Sequence, residues 1–418
     1  MPSPGDRGRA AAVPDDDGPA PPGAAGHPPS RAGAVGSAVA VVAALATIAV
    51  LAVRPAPDVP SASPSPGPSP RLTGTLVFAR LGTSDLLQLW RWDLATGRVG
   101  PGPVVRRPVE LVNASAARPG WVGLTWRLSD GRLRAGVLRS LDVAASPATL
   151  ITGDLVSWGA RGGRVSAARR GPRSGCERDV RVLGTQLRPR LREQAFRVRV
   201  CGDVLSLGRA GAVTYATVLD RGRLAIGYVA GEGFRRVLDG HVLASVSWAS
   251  DMLVRPAKVA DAGAPAASGG GGPARSSVVV DDRLGYAQAT SDVVGGYGAS
   301  PYRLGGEPFR TARVLAWAPN SFEALAIGRA DDGVRGIYVL DTLPSDGLSS
   351  PRRVATADGP TWATYTGDGV AIVFTGGDVL AIDGAAVVPV EVPLGSPLPD
   401  GPVTWIPGTT PQAERASG

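Results

Sequence analysis

Residues 313–341, RVLAWAPNSFEALAIGRADDGVRGIYVLD, are the segment that indicates the fold. Short apolar runs at 314–317, 324–328 and 337–340 are separated by the turns Ala318-Pro319-Asn320-Ser321 and Asp331-Asp332-Gly333. Proline fixes the backbone of a turn, and asparagine tolerates the position that follows it. β-Branched and aromatic residues favour strands. The segment therefore predicts three short antiparallel strands, the third of which ends at Asp341.

The same pattern recurs along the chain. The opening strands are marked by five tryptophans, one valine and one leucine, at Val112, Trp158, Leu207, Trp248, Trp317, Trp362 and Trp405. Successive landmarks are 41 to 49 residues apart, except for one interval of 69 residues. That interval contains the Gly/Ala-rich insert 257–277, which we interpret as a flexible surface loop. Because one small sheet cannot bury both of its faces alone, the repeat predicts units that stack on one another.

A second strand follows most landmarks, and the third strand often ends in aspartate. The predicted second strands are 121–127, 163–168, 212–219, 252–255, 324–328 and 369–374. The predicted third strands are 138–142, 278–281, 337–341 and 379–383. An aspartate at the end of a strand can accept backbone N–H groups of the next turn, so it needs no catalytic explanation.

The last landmark, Trp405, has only thirteen residues after it, so the strands that should follow it are missing. Suitable strands occur at the other end of the domain, at 75–80 and 87–93. A C-terminal strand that completes a unit begun by N-terminal strands closes a ring and removes its free edges. We therefore predict an all-β domain over residues 71–408, a seven-bladed β-propeller closed by its N- and C-terminal strands.

The sequence Trp317-Ala318-Pro319-Asn320, followed by a strand that ends in Asp341, resembles the repeat of TolB-type and related WD-repeat-like β-propellers of bacteria. In that repeat, a Trp-Ser-Pro-Asp-Gly turn leads to a strand ending in aspartate. Other units depart from the pattern, since Trp362-Ala363-Thr364-Tyr365 lacks the proline and Leu207 replaces tryptophan. The resemblance implies a disc-shaped propeller that binds other macromolecules. It implies no particular activity, because propellers include both binding proteins and enzymes.

The chain outside the domain divides into short regions. Residues 1–31 are rich in Pro, Gly, Ala and Arg without apolar periodicity, which is typical of a disordered tail, and residues 409–418 are interpreted in the same way. Residues 32–53 carry no charge; as a helix they would span about 33 Å, enough for a bilayer core of about 30 Å. Residues 54–70, RPAPDVPSASPSPGPSP, are typical of a Pro/Ser-rich stalk.

We therefore expect a single-pass transmembrane helix at 32–53, a cytoplasmic tail and an extracytoplasmic propeller. The stalk favours this orientation because it would hold a domain away from the bilayer. The even cysteine count favours it too, because paired cysteines in an exported chain suggest a disulfide. The length of the apolar run favours an anchor over a cleaved signal. Val50-Leu51-Ala52 resembles a cleavage site, so secretion is the alternative.

The positive charge of the domain is concentrated in one unit. Residues 71–408 contain 39 basic and 30 acidic residues, and residues 161–199 contain 12 arginines and only three acidic residues. Strands predicted there at 163–168, 178–183 and 195–201 place Cys176 and Cys201 on either side of the outer hairpin, close enough for a disulfide. Outer strands lie at the rim of a propeller. The candidate binding patch at this rim consists of Arg178, Arg181, Arg188, Arg190, Arg192, Arg197 and Arg199.

A basic rim suits an anionic polymer of the cell envelope, lipid headgroups or an acidic envelope protein. The alternative interpretation is a solvated, arginine-rich surface without a partner. Nucleic acid is not an expected partner, because the domain is predicted to lie outside the cell and carries no nucleic-acid-binding motif.

No pattern in the sequence indicates catalysis. His27 lies in the tail, His241 stands alone, and no His/Cys/Asp cluster has metal-ligand spacing. A G-x-S-x-G nucleophile motif is missing, and no phosphate-loop lysine follows the glycines at 269–272. We therefore expect no catalytic residue, metal or cofactor, and a non-catalytic interaction or scaffold module at the cell envelope. The alternative is an enzyme or small-molecule sensor that uses the axial pocket of the ring.

The predicted disulfide can be tested directly. Mass spectrometry of exported protein under non-reducing conditions should find Cys176 joined to Cys201. Replacing both cysteines by alanine should lower the free energy of unfolding by about 3 kcal/mol, because the bridge restricts the unfolded chain. Two free thiols in exported protein would contradict the bridge and weaken the extracytoplasmic placement.

Overall fold

The computed structural model describes the chain in fourteen segments between residues 71 and 407. These are 71–81, 86–106, 110–118, 120–141, 146–159, 163–174, 177–186, 194–211, 213–230, 233–260, 277–288, 299–329, 333–342 and 350–407. The tail, transmembrane helix and stalk predicted within residues 1–70 lie outside the described residues, as do residues 409–418. Within the described segments, no helix is long and apolar enough to cross a membrane.

The described chain is built from short antiparallel strands. Those of the first half are β1 (Thr75–Leu81), β2 (Leu86–Asp93), β3 (Val99–Arg106), β4 (Glu110–Arg118), β5 (Trp121–Arg127), β6 (Leu133–Leu138), β7 (Ala148–Gly153), β8 (Leu155–Trp158), β9 (Arg164–Ser174), β10 (Glu177–Gln186), β11 (Gln194–Val200), β12 (Gly202–Ala210), β13 (Val213–Asp220), β14 (Arg223–Ala230) and β15 (Gly233–Asp239). Those of the second half are β16 (His241–Val246), β17 (Asp251–Ala260), β18 (Ser277–Val280), β19 (Gly285–Gln288), β20 (Ser300–Pro301), β21 (Arg303–Leu304), β22 (Glu307–Pro308), β23 (Arg310–Trp317), β24 (Glu323–Arg329), β25 (Arg335–Asp341), β26 (Arg352–Thr356), β27 (Thr361–Tyr365), β28 (Ala371–Thr375), β29 (Asp378–Asp383), β30 (Ala386–Pro389) and β31 (Val403–Ile406).

These strands form seven blades, which confirms the predicted all-β, seven-bladed propeller. Blade 1 has the order β31-β1-β2-β3, and blades 2, 3 and 4 are β4–β7, β8–β11 and β12–β15. Blade 5 is β16-β17-β19-β20 with β18 added beside β17; blades 6 and 7 are β23–β26 and β27–β30. The strands β21 and β22 form a separate small hairpin. The first strand of each blade is the inner one.

The C-terminal strand closes the ring as predicted. Strand β31 pairs with β1 over four residues, with Thr75 opposite Ile406 and Leu76 opposite Trp405. On either side, β31 contacts β27 of blade 7 and β4 of blade 2, which are the inner strands of the neighbouring blades. Blade 1 is therefore assembled from both ends of the domain, and β1 is paired along both of its edges.

Apolar side chains fill each junction between neighbouring blades. At the junction of blades 1 and 2, Val77 and Leu89 pack with Val122 and Leu124. Equivalent buried clusters occur at the other six junctions, including that of blades 7 and 1. Because every blade has neighbours on both sides, its second strand is buried on both faces, as the central residues 324–328 of β24 show.

Several landmark tryptophans act as wedges between blades. The Trp158 indole N–H donates to Thr125 Oγ1 of the preceding blade at 2.8 Å. Its ring lies so close to Gly123 that an added Cβ there would be 2.7 Å from it. Similarly, the Trp317 indole N–H donates to Ser245 Oγ of blade 5 at 2.8 Å. These contacts confirm the interpretation of such tryptophans as packing residues.

Trp248 does not fit that interpretation. Its side chain is 45% exposed, and the residue follows β16 in a turn instead of lying inside the inner strand. The inner strand of blade 5 is carried by Leu243 and Val246, which are buried without a tryptophan. The wide spacing around this landmark reflects the additional strand in blade 5.

Two of the predicted third strands are wrong. Strand β6 ends at Leu138, where the prediction 138–142 begins. The segment predicted at 278–281 forms β18, which pairs with the second half of β17, whereas the third strand of the blade is β19. The ends of the insert 257–277 are also strands rather than loop, because β17 continues to Ala260 and β18 begins at Ser277. Strand β17 is ten residues long, so it can pair with both β18 and β19. The alternation of residue types did not indicate this length.

Removal of the closing strand should destabilise the whole ring. Deleting residues 401–418 exposes the edge of β1 and removes the buried Val403 and Ile406. Since burying a side chain of this size contributes about 1.5–3 kcal/mol, we expect the free energy of unfolding to fall by at least about 3 kcal/mol. Deletion of residues 409–418 alone is the matched control and should change it little. Equal stability of the two truncated proteins in denaturant titrations would contradict closure through β31.

Candidate functional site

Three arginines stand in a row across the outer strands of blade 3. Arg181 of β10 lies directly opposite Arg169 of β9 on one side and Arg197 of β11 on the other. All three are exposed. Neighbouring strands are about 4.8 Å apart, so the row spans about 10 Å at the backbone. We call Arg169, Arg181 and Arg197 the arginine ladder.

Few negatively charged groups balance the positive charge of the arginine ladder. The Arg169 Nε–H donates to the carbonyl oxygen of Thr152 in blade 2 at 2.6 Å. Within the described segments, no carboxylate pairs with Arg181 or Arg197. Like charges placed directly opposite each other in a sheet are destabilising, so packing does not explain this arrangement.

A weak ion pair flanks the ladder. Asp179 lies opposite Arg199, two residues along each strand from Arg181 and Arg197, and its Oδ1 is 3.2 Å from the Arg199 Nε. The two side chains are 50% and 69% exposed, so the pair contributes little to stability. The surface therefore combines four arginines with one aspartate.

Arg178, another member of the predicted patch, serves a different purpose. Its Nη1 is 2.8 Å from Asp203 Oδ2, while the Arg170 Nε is 2.8 Å from the other oxygen of the same carboxylate. Asp203 is the second residue of β12, so this clamp joins blade 3 to blade 4. Arg178 and Arg170 alternate with the ladder residues along β10 and β9, and therefore point away from the ladder.

The structure thus brings together Arg181, Arg197 and Arg199 and separates them from Arg178. The other predicted members, Arg188, Arg190 and Arg192, lie outside the described residues. Arg169 was missed, because the predicted strand ended at residue 168 whereas β9 continues to Ser174. Extending that strand would have placed Arg169 in the outer part of the sheet, but only the strand register reveals that it faces Arg181.

The cysteines lie at the end of the same hairpin. Cys201 directly follows β11, and its backbone N–H donates to Asp220 Oδ1 of blade 4 at 2.8 Å. Among the described residues no cysteine is a free thiol. Cys176 lies outside the described residues, so the bridge between Cys176 and Cys201 stays a prediction.

A separate cleft of about 730 Å³ opens between blades 1 and 2. Its charged lining consists of Arg91, Arg98 and Arg139 with a single carboxylate, Asp93. The Arg139 guanidinium lies over the Trp121 ring, 5.2 Å from its centroid, which holds the side chain in place. Residues of blades 1 and 2 alone line this cleft, so it is not the axial pocket that an axial enzyme or sensor would use.

The buried aspartate of blade 5 has a structural environment. Asp251 accepts hydrogen bonds from the Tyr286 hydroxyl at 2.9 Å and from Ser247 Oγ at 3.0 Å. Burial raises the pKa of Tyr286, and the nearby Asp251 carboxylate raises it further, so the phenol remains a donor. These bonds fix the turn between β16 and β17. His241 is placed apart from them, with its Nδ1 2.7 Å from the carbonyl oxygen of Asp239.

Carboxylates also gather where blades 6 and 7 meet. Burial raises the pKa of Glu323; Arg352 opposes this shift, whereas Asp341 and Asp383 reinforce it. No three His, Cys, Asp or Glu side chains in the described segments have a geometry that could hold a metal ion.

Comparison with known proteins gives similarity in architecture only. No protein-family model matches the chain, and no curated protein matches it in sequence. The propeller domain of the trilobed protease from Pyrococcus furiosus is 10% identical with a TM-score of 0.46, covering 79% of this chain and 98% of that one. The periplasmic gluconolactonase PpgL of Pseudomonas aeruginosa is 14% identical with a TM-score of 0.40, covering 80% and 99%. Hydrazine synthase of Kuenenia stuttgartiensis is 12% identical with a TM-score of 0.44, covering 74% and 93%.

The contribution of Asp203 to stability can be separated from that of the exposed ion pair Asp179–Arg199. Asp203→Asn leaves Arg170 and Arg178 without their shared carboxylate in a site where the Asp203 side chain is only 19% exposed. We expect the free energy of unfolding to fall by about 1–2 kcal/mol, between the values for exposed and fully buried pairs. Asp179→Asn, in the neighbouring blade 3, should cost less than about 0.5 kcal/mol. Equal losses in denaturant titrations would show that Asp203 does not clamp blades 3 and 4.

Proposed function

We propose that this protein is a non-catalytic binding module whose arginine ladder holds a linear anionic polymer of the cell envelope. The observation that carries the proposal is the alignment of Arg169, Arg181 and Arg197 on three adjacent strands, without matching carboxylates in the segments that the structure describes. The repulsion between these side chains costs stability, and a ligand that carries several negative charges would offset it.

The chemistry of arginine defines the ligand class. A guanidinium presents a planar fork of donors that matches phosphate and carboxylate oxygens. Strands hold the ladder at a regular spacing of about 4.8 Å, whereas a loop would leave the side chains free to spread. A flexible chain with a negative group every few ångströms can therefore contact successive arginines. Because the ladder is exposed, the attraction should weaken strongly as salt is added.

We also propose that the propeller is tethered outside the membrane. The support comes from the sequence: the uncharged run 32–53, the Pro/Ser-rich stalk 54–70 and the paired cysteines. An exported domain would meet polymers and acidic proteins of the envelope, which suits a basic rim. Detection of the Cys176–Cys201 bridge would support this location, because such bridges persist in oxidising compartments.

Charge reversal of the ladder tests the function. In the full-length protein, Arg181→Glu combined with Arg197→Glu should weaken binding to polyphosphate or polyglutamate at least about tenfold at low salt. The matched control is Arg329→Glu with Arg335→Glu, an exposed pair that also faces across two strands, in blade 6. The control should change the affinity less than about twofold, because the added negative charge is the same but lies on another blade.

Salt dependence provides a second readout. Replacing Arg181 and Arg197 by glutamine should reduce the slope of log affinity against log salt by about one for each arginine removed. Equal weakening by the ladder and blade 6 variants would indicate a response to net charge and would contradict the site. Absence of binding to both polymers, with capture of an acidic protein by crosslinking in cells, would favour a protein partner instead.

A further inference from the structure

A second group of arginines lies at the junction of blades 3 and 4, away from the arginine ladder. Here the inner strands β8 and β12 run side by side, and Gly159 forms an isolated parallel bridge with Arg209. Arg209 is the eighth residue of β12 and is only 5% exposed. Arg164 begins β9, close to the same bridge, and its backbone carbonyl accepts the Gly159 N–H at 2.9 Å.

The polar partners of Arg209 are two buried hydroxyls. Its Nη1 donates to Thr214 Oγ1 at 2.5 Å and to Ser166 Oγ at 3.3 Å. The two hydroxyl oxygens are 2.8 Å apart, so one of them donates to the other. The second hydroxyl proton remains available. The Nε of Arg209 is enclosed and has no acceptor among the described residues.

The charge of Arg209 lacks a counter-ion in the described part of the chain. Its guanidinium forms no ion pair there, and the charged neighbour that influences it is a second cation, Arg164. Burial and, to a smaller extent, the positive charge of Arg164 lower the pKa of Arg209 to about 10, so the Arg209 guanidinium is still charged at neutral pH. Burial of an unpaired charge is strongly unfavourable unless another group compensates it.

Two arginines elsewhere in the ring, Arg255 and Arg313, are compensated differently. The Arg255 Nη2 donates to the carbonyl oxygens of Thr311 and Ala312 at 3.0 and 2.9 Å. Arg313 lies over the Trp362 ring, 4.5 Å from its centroid, and donates to the carbonyl oxygen of Thr361. Carbonyls and an aromatic face carry negative potential. Arg209 has only neutral hydroxyls that are partly occupied by each other.

We propose that Arg164 and Arg209 form a binding site for a small oxoanion, a phosphate or a carboxylate, at the junction of blades 3 and 4. The anion supplies the missing negative charge, and the spare proton of the Ser166–Thr214 pair can be donated to it. The site is separate from the arginine ladder, because Arg169 lies five residues further along β9 and the other two ladder residues lie on β10 and β11. Its ligand is a single compact anion, since the site has two arginines and two hydroxyls among the described residues.

Thermal unfolding of the full-length protein tests the site. At constant ionic strength, replacing chloride by phosphate or by acetate should raise the midpoint saturably, by about 4 °C at a hundredfold excess over the dissociation constant. Arg164→Gln and Arg209→Leu should each abolish this rise. Without added oxoanion, Arg164→Gln should be at least as stable as the unmodified protein, because a repelling neighbour has been removed.

Two controls separate this site from other anion-binding surfaces. Arg255→Gln removes a half-buried arginine that has carbonyl partners, and it should keep the rise. The ladder variant Arg181→Gln with Arg197→Gln should keep it as well, so that failure of one proposal does not imply failure of the other. If Arg209→Leu does not fold, the half-buried Arg164→Gln decides the result.

Two outcomes would overturn the proposal. The first is a midpoint that does not respond to phosphate or acetate in the unmodified protein, as expected if a carboxylate of the chain itself neutralises Arg209. The second is a rise of equal size in Arg164→Gln, which would place the anion elsewhere.

Discussion

The apolar contact between neighbouring blades is the interaction on which the rest of this structure depends. Each blade is a single sheet that cannot bury its own two faces, so its second strand is shielded from water only when a neighbouring blade covers each face. Trp158 shows how close this contact is, because its ring occupies the space that a side chain at position 123 would need. The same requirement makes the junction of blades 7 and 1 indispensable, and that junction depends on four residues at the end of the domain, β31.

Burial on both faces also explains which parts of the fold could be predicted from the sequence. Inner and second strands such as β24 are almost entirely apolar and stand out between turns, so their repeat indicated the number of blades and the closure through Trp405. Outer strands are partly exposed and carry charge, which is why the third strands of blades 2 and 5 were misplaced. The arginine ladder could not be predicted, because it depends on the register between β9 and β10. The strand pairing and a bulge between Arg178 and Val180 decide which residue of β9 lies opposite Arg181, and the spacing of residue types shows neither.

Arginine is the dominant cation of this protein, and the environments of the arginines differ. Some have partners within the protein and stabilise the fold, whereas others lack such partners and are candidates for ligand binding. Arg170 and Arg178 share the carboxylate of Asp203 and join two blades. Arg255 and Arg313 satisfy carbonyl oxygens of the next blade. Apart from Arg169, which also donates to a carbonyl oxygen, the ladder and the pair Arg164–Arg209 have neither kind of partner among the described residues, although their positions in strands fix them in place. In both places a ligand would supply the negative charge that the described residues lack, and this is why we assign a ligand to the ladder and another to the Arg164–Arg209 pair.

The pairing of β1 has a mechanical consequence. This strand lies between β2 and β31, opposite seven residues of one and four of the other. A pull on the residues that precede Thr75, directed along the strand, would load all of these backbone hydrogen bonds in shear, so that they must break together instead of one after another. Strand β3, at the outer edge of the same blade, could be peeled away bond by bond. The chain thus enters the ring at a strand that is paired along both edges, so force applied from that end would act on more backbone hydrogen bonds at once than force applied to β3.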